Sequence, residues 1–332
     1  MKKRLFAVLF TAILTVSFGS FAFADEAETE TEYEPFSVSI GVDSSVFSAQ
    51  IRVAEEAGIF EKYNIDAELV TYSYGIDTVN GVILNEVQVG EANDYAVATR
   101  ASEAANLRLV TSILSGHGDS KSLYANIEEI QSGEDLAGKN IAVASGTVNE
   151  LEVAKTLTTY GLTEDDVNLL YFTSDAEMIA AFASYNVDAV WLSKQYADDA
   201  LAVEGAHTIA DLDDIDNINI AYLVVDSTFA EENVEYVERL ILALNEATEI
   251  INSDTDLSAD YLTDSLGIAK EDAVNGLGTY DYDIEFTQSD VDHIVSIAEW
   301  SIENGLIEND YDLNNYIFTD AVTAVLPEKV DF

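Results

Sequence analysis

The sequence predicts an α/β fold of two facing, doubly wound lobes joined by a two-strand hinge. Three observations carry that expectation. Strand-like and helix-like segments alternate along almost the whole chain, and its 332 residues exceed what one core usually serves. Strand-like runs near Tyr124 and Tyr222 also sit where the chain would cross between lobes. The expected organisation is a first lobe of residues 37–123 and 225–332, with a second lobe, 124–224, inserted in it and Tyr124 and Tyr222 as hinge.

The chain opens "MKKRLFAVLFTAILTVSFGSFAFADE", with three basic residues, an apolar run and Ala22-Phe23-Ala24 before the first acid. This is the three-part pattern of a secretory leader, residues 1–24, with cleavage expected after Ala24. Residues 25–36, "DEAETETEYEPF", form an acidic linker poor in large apolar side chains. The first lobe then alternates "FSVSIGV" (strand), "AQIRVAEEAGIFEKY" (helix), "DAELVTYS" (strand) and "IDTVNGVILNEV" (helix). It continues with "YAVAT" (strand), "ASEAAN" (helix) and "LRLVTSIL" (strand). In the second lobe "KNIAVA", "VNLLYF" and "VDAVWL" read as strands around a helix from Val148 and the helix "AEMIAAFASYN". The strand-like "INIAYLVV" leads back to a long helix, "EYVERLILALNEATEIIN", with further helices to the C-terminus. Such alternation implies parallel strands with crossover helices, their carboxyl ends lining one cleft.

Composition excludes several function classes. Without the leader, which carries Lys2, Lys3 and Arg4, 11 basic residues face 63 acids, a formal charge of −52. Nucleic acid and anionic membrane surfaces are therefore poor partners, and the acid load resembles adaptation to high salt. The chain has no cysteine, which removes disulfides, thiolate metal sites, cysteine nucleophiles and a lipid-modified cysteine after the leader. With no other segment long and apolar enough to span a bilayer, a periplasmic or released protein is expected. The acidic "ADLDDIDN" at 210–217 lacks the glycine and terminal glutamate of a calcium loop. His207 and His293 have no ligand-like spacing, so neither a metal nor a cofactor is expected.

Ser145-Gly146-Thr147 lies where the strand "NIAVA" turns into a helix, a place that exposes backbone N–H groups to an anion or a ligand oxygen. Thr147 acting only as the cap of its own helix is the competing reading.

The segments "AEEAGIFEKYNIDAELV", "DLAGKNIAVASGT", "YGLTEDDVNLLYFTSDAEMIAAFASYNVDAVWL" and "FAEENVEYVERLILALNEA" occur in an order and spacing that point to a family, and the tail "AEWSIENGLIENDYDLNNYIFTDAV" extends the likeness. The chain resembles the substrate-binding proteins of ABC importers for nitrate, sulfonates, taurine and thiamine-pyrimidine precursors. The resemblance implies a type II periplasmic-binding architecture and a small organic ligand held between the lobes. It also implies delivery to a membrane permease, by a protein expected to work as a monomer. Carried over by position, the ligand-facing turns are Ser44 to Gln50 with Phe47, Tyr74-Gly75, Asn93-Asp94-Tyr95, Ser145-Gly146-Thr147, and Trp191 with Lys194 and Gln195. Tyr222 is the further aromatic candidate.

Asn93-Asp94-Tyr95 is bulkier and more polar than the family's usual small-residue turn, and Gln88 stands where an acid is usual. A buried Asp94 would suit a ligand with an amine or ring N–H, or would cap the next helix. Among the cations, Arg52, Arg100 and Lys194 lie nearest the expected cleft, with a surface role as the alternative for each. His117, between glycines, is either a loop residue or one that touches the ligand or gates the hinge. Aromatic residues in the turns favour an organic ligand over bare nitrate. Enzymes on a similar architecture, resembling thiamine-pyrimidine synthases or porphobilinogen deaminase, would imply a cysteine that this chain lacks. The chain is therefore expected to be a non-catalytic import receptor, with a ligand-sensing receptor as the alternative and an enzyme as the more remote one.

Overall fold

The computed structural model describes residues 33–331. The expected leader and all but the end of the acidic linker lie outside them. From Glu34 onward the chain forms one compact unit. It contains two mixed sheets. The first has six strands in the order β11-β4-β10-β3-β1-β2 and the second five in the order β7-β6-β8-β5-β9.

In the first sheet, β1 (Phe36–Asp43) pairs in parallel with β2 (Ile65–Tyr72) and with β3 (Val89–Asn93). β4 (Leu107–Gly116) carries the chain out of this sheet to β5 (Lys121–Ala125) of the second. There β6 (Asn140–Val143) pairs in parallel with β7 (Asn168–Tyr171) and β8 (Ala189–Ser193), while β5 runs antiparallel to β8 and to β9 (His207–Asp211). β10 (Asn219–Asp226) returns to the first sheet antiparallel to both β3 and β4, and β11 (Asp281–Glu285) closes its edge against β4. Neither sheet is all parallel, because the strands that enter and leave each lobe run against the crossover units.

The second sheet shows why its strands read as continuous apolar runs. Side chains alternate between faces along a strand. Leu123, Ile141, Val143, Ala189 and Trp191 fall on one face and pack with Val153 and Leu157. Tyr124, Ala142, Val190 and Leu192 fall on the other and pack with Met178 and Phe182. Both faces are covered, so both parities must be apolar.

Helix α1 (Ala49–Glu56), α2 (Ile59–Lys62) and α3 (Gly75–Ile83) follow the expected order. "YAVAT" does not form a strand. It lies in α4 (Asp94–Ala101), and the strand before it is "VGEAN". Burial explains the misreading. Tyr95, Ala96, Val97 and Ala98 are all buried and the polar Thr99 and Arg100 are only part-exposed, so this helix shows little polar face, while β3 hides its character behind Gly90 and a buried Glu91. α5 (Val148–Thr159) and α6 (Asp175–Ala183) flank the second sheet, and the long helix Val234–Ser253 packs on the first lobe. β9 and β11 carry only short, half-polar patterns and stand where the sequence offered a loop and further helices.

The hinge expectation needs correction. Tyr124 is the fourth residue of β5, paired with Val190, and Tyr222 is the fourth of β10, paired with Ala92 and Ser112. Both are held by ladder hydrogen bonds inside a sheet. The chain passes between the sheets at 117–120 and 212–218 instead.

Candidate functional site

The carboxyl ends of the parallel strands converge on one cavity of about 80 Å³ between the lobes. Asp43 ends β1, Tyr74-Gly75-Ile76 follow β2, and Asn93 ends β3. From the second lobe come Ala144, Thr147 and Asn149 after β6, Asp175 after β7, and Ser193 and Gln195 at the end of β8. Lys121 and Tyr280 stand at the starts of antiparallel β5 and β11 and so reach the same edge. Room for a water needs roughly 10–15 Å³, so the cavity admits a small molecule of about five to eight water-sized groups.

Close backbone packing forms the first-lobe wall. A Cβ on Gly75 would stand 2.9 Å from the Glu91 carbonyl oxygen and 3.0 Å from the Ala92 Cα, so only glycine lets α3 begin against β3. The Tyr74 hydroxyl then crosses the cleft and donates to Asp175 Oδ1 at 3.2 Å. The Tyr196 hydroxyl is a second phenol partner of Asp175. Burial and the neighbouring carboxylate push the Tyr74 and Tyr196 phenols well above their usual range, which keeps both as neutral donors. Gly146 completes the closure. Its φ is +73°, and a Cβ there would stand 2.5 Å from Ile76 Cδ1 of the other lobe.

The electrostatics of the cavity are acidic. Asp43 accepts the Ser45 N–H at 2.7 Å, but burial outweighs that bond and, with repulsion from Asp175, pushes its carboxyl up to about 7. Behind it Glu91 is buried, bonded to the Ser48 hydroxyl, and raised by burial to about 8. Arg52 donates to the Asp43 carbonyl oxygen at 2.6 Å and to Ser265 at 3.1 Å. In the second lobe burial likewise raises Asp175, and Lys121 opposes the shift. Lys121 is committed to Glu152, a fully buried carboxylate 2.7 Å away whose other oxygen accepts from Asn219 at 2.8 Å. Glu152 thus ties the first residues of β5 and β10, one on each crossing, to helix α5.

Ser145-Gly146-Thr147 forms a self-satisfied turn. Thr147 Oγ1 accepts from Asn149 N at 3.2 Å, and the Gly146 N–H donates to Glu150 Oε2 at 2.7 Å. The anion place at this helix start is filled by the protein's own carboxylate. Glu150 also accepts from Tyr95 across the cleft at 3.2 Å.

Of the residues the sequence singled out, the fold brings Phe47, Tyr74, Gly75, Asn93, Thr147, Trp191 and Gln195 to the cavity. Trp191 is 1% exposed and its indole N–H donates to Thr156, so it belongs to the core as much as to the wall. The others are placed elsewhere. Ser44 is exposed, and Gln50 donates into the first-lobe core at Ile113 O and Thr248. Asp94 does not line the cavity; its carboxylate accepts the first-turn Tyr95 N–H of α4 at 2.6 Å, as well as taking His293 Nε2 at 2.7 Å and the Ile220 N–H at 3.2 Å. Tyr95 packs with Val148, Leu151 and Ile297, and Tyr222 donates to the Asp290 carbonyl at 2.8 Å. Ser145 is exposed and Gly146 contacts Ile76. Lys194 pairs with Asp119 at 2.8 Å and Arg100 with Glu103, both away from the cavity. His117 is exposed, 3.6 Å from Asp281. Asp43, Lys121, Asp175 and Tyr280 are cavity residues that sequence reasoning missed.

Two α/β lobes facing across strand carboxyl ends, with hydrogen bonds spanning the cleft, define the class of periplasmic-binding-protein folds. The family model described as NMT1/THI5 like matches residues 47–256, and the chain belongs to that family. A binding protein of Brucella abortus (strain 2308) is 24% identical over 341 residues, covering 98% of this chain and all of the relative. The periplasmic aliphatic sulphonate binding protein SsuA of Escherichia coli superposes with a TM-score of 0.75 at 19% identity, over 86% of this chain and 93% of that one. The desulfurization enzyme DSZB shares the fold at a TM-score of 0.64 and 16% identity, over 88% of this chain and 99% of that one. Likeness at these identities shows the fold, which hosts both binders and an enzyme.

Proposed function

We propose that this protein is the extracytoplasmic solute-binding component of an ABC importer, working as a monomer that closes on a small organic ligand and presents it to a membrane permease. The observation that carries the reading is the small cavity spanned by the Tyr74–Asp175 hydrogen bond, with walls from both lobes. Family membership, the SsuA-like fold and the secretory pattern at the N-terminus support it. The lobes built on the two sheets rotate about residues 117–120 and 212–218, and the ligand stabilises the closed arrangement. Aliphatic sulfonates are the ligand class that the relatives' names suggest, and taurine and thiamine-pyrimidine precursors are those the sequence resemblance implies.

Thermal shift of the leaderless protein against alkanesulfonates, taurine, nitrate, thiamine pyrimidines and simple amines tests this. A ligand at a hundred times its dissociation constant adds about 2.7 kcal/mol to a site formed only in the folded state. A saturable rise in melting temperature is the expected result. A cooperative transition unmoved by every class would overturn the reading.

A further inference from the structure

Resting on that reading of the cavity as a solute site, we propose that its ligand is a small organic cation with N–H donors, a primary ammonium or an amidinium, gripped between Asp43 of the first lobe and Asp175 of the second. Four features of the site carry this.

The carboxylates outnumber the available cations. Asp43 and Asp175 both line the cavity. Among the described residues, Lys121 is the one lysine on the wall, and it is 2.7 Å from Glu152, which lies buried behind it. Arg52 does not line the cavity, and its two terminal nitrogens donate to Ser265 and to the Asp43 backbone oxygen. A sulfonate entering this space would meet two carboxylates, and among the described residues no uncommitted cation lines the cavity.

The place that would take an anion is filled. Glu150 accepts the Gly146 N–H at the start of α5 and the Tyr95 hydroxyl, so the turn expected to bind a ligand oxygen already holds one. An acceptor instead waits for a donor. Asn93 lines the cavity, and its Oδ1 is buried without a hydrogen-bond partner among the described residues, which costs free energy until an N–H reaches it. Phe47, Tyr74 and Tyr280 supply aromatic surface beside the acids, a setting that favours a cation.

The two acids also explain how charge couples to closure. They stand on opposite lobes, so bringing the lobes together without a ligand brings like charges together. A cation between them turns that repulsion into attraction on both sides. An N–H cation can satisfy both carboxylates and Asn93, whereas a quaternary ammonium can satisfy none by hydrogen bonding.

Titration calorimetry with matched pairs tests the idea: propylammonium against propanesulfonate, and benzamidinium against benzenesulfonate, with tetramethylammonium as the cation lacking N–H. The expected result is saturable binding of an N–H cation in each matched pair and none of the sulfonates. Asp175→Asn and, separately, Asp43→Asn should each weaken it about 10- to 100-fold, while the exposed Glu128→Gln leaves it unchanged. Sulfonate binding without amine binding would overturn the inference and leave the receptor reading standing. Equal binding of tetramethylammonium, or unchanged affinity in both aspartate variants, would also overturn it. No binding by either class would overturn it too, and if the thermal-shift panel is likewise silent the receptor reading falls with it.

Discussion

Replacing Asp43 with asparagine removes a carboxylate that burial pushes up to about 7 in the folded protein, from 3.8 for an ordinary aspartate. The cause is burial first, since the side chain is 6% exposed, with Asp175 adding repulsion. Between pH ~4 and ~7 the folded chain therefore keeps a proton that the unfolded chain has lost, and stability falls as pH rises through that window. At 1.36 kcal/mol per unit, the span amounts to an ionisation cost on the order of 4 kcal/mol at pH 8, absent at pH 4. Asp43→Asn carries no such cost. Urea unfolding of the ligand-free leaderless protein and of the variant, run from pH 4 to pH 8, should show a stability difference that shifts steadily in the variant's favour as pH rises. The variant should gain on the parent by up to about 4 kcal/mol as pH rises. Two curves that stay parallel over the whole range would refute the assignment of Asp43 as a destabilised buried acid, and with it the acidic character of the site.

Other consequences follow from single contacts. Glu152→Ala leaves the buried Lys121 ammonium unpaired and frees both crossings, and should cost about 3–5 kcal/mol by denaturant unfolding. Gly75→Ala drives a Cβ to 2.9 Å from a backbone oxygen that cannot move without shifting β3, a cost of about 1–3 kcal/mol measurable as a lowered unfolding midpoint. Tyr74→Phe removes the donor that reaches Asp175 across the cleft and should weaken ligand binding about tenfold by calorimetry, with Tyr196 still bonded to the acid. Raising salt from 0.01 M to 1 M shortens the screening length from about 30 Å to about 3 Å, so the melting temperature of this acid-rich chain should rise steeply.

The architecture was legible because both sheets obey period rules: apolar runs such as "NIAVA" and "AVWLS" are buried on two faces, and helices such as Val234–Ser253 carry a 3.6-residue stripe. Where burial is uniform the rule fails, which is why α4 read as a strand. The turns after strands pointed to the right edge of each sheet, so Tyr74, Gly75, Asn93 and Thr147 fell on the cavity. The acids that set its chemistry were hidden by abundance. Asp175 in "TSDAEM" looks like any helix-opening acid among 63, and Asp43 like the polar end of an apolar strand. Lys121 had a usable signal. It is one of few basic residues and opens a strand whose next four residues are apolar or small, a place where a lysine needs a partner. Asp94 illustrates the opposite error: a turn residue near the cleft faced inward because helix Gln288–Glu303 brings His293 to it, a tertiary contact that local spacing does not encode.

The central claim is that a ligand closes two lobes over the cavity between Asp43 and Asp175. The most direct measurement is the distance between one spin label on exposed Leu84 of the first lobe and another on exposed Tyr185 of the second, read with and without a saturating ligand. The distribution should be broad or long when the protein is empty and should collapse to a single shorter distance on binding one equivalent. An identical distribution in both states, with binding verified by calorimetry, would contradict closure as the basis of recognition.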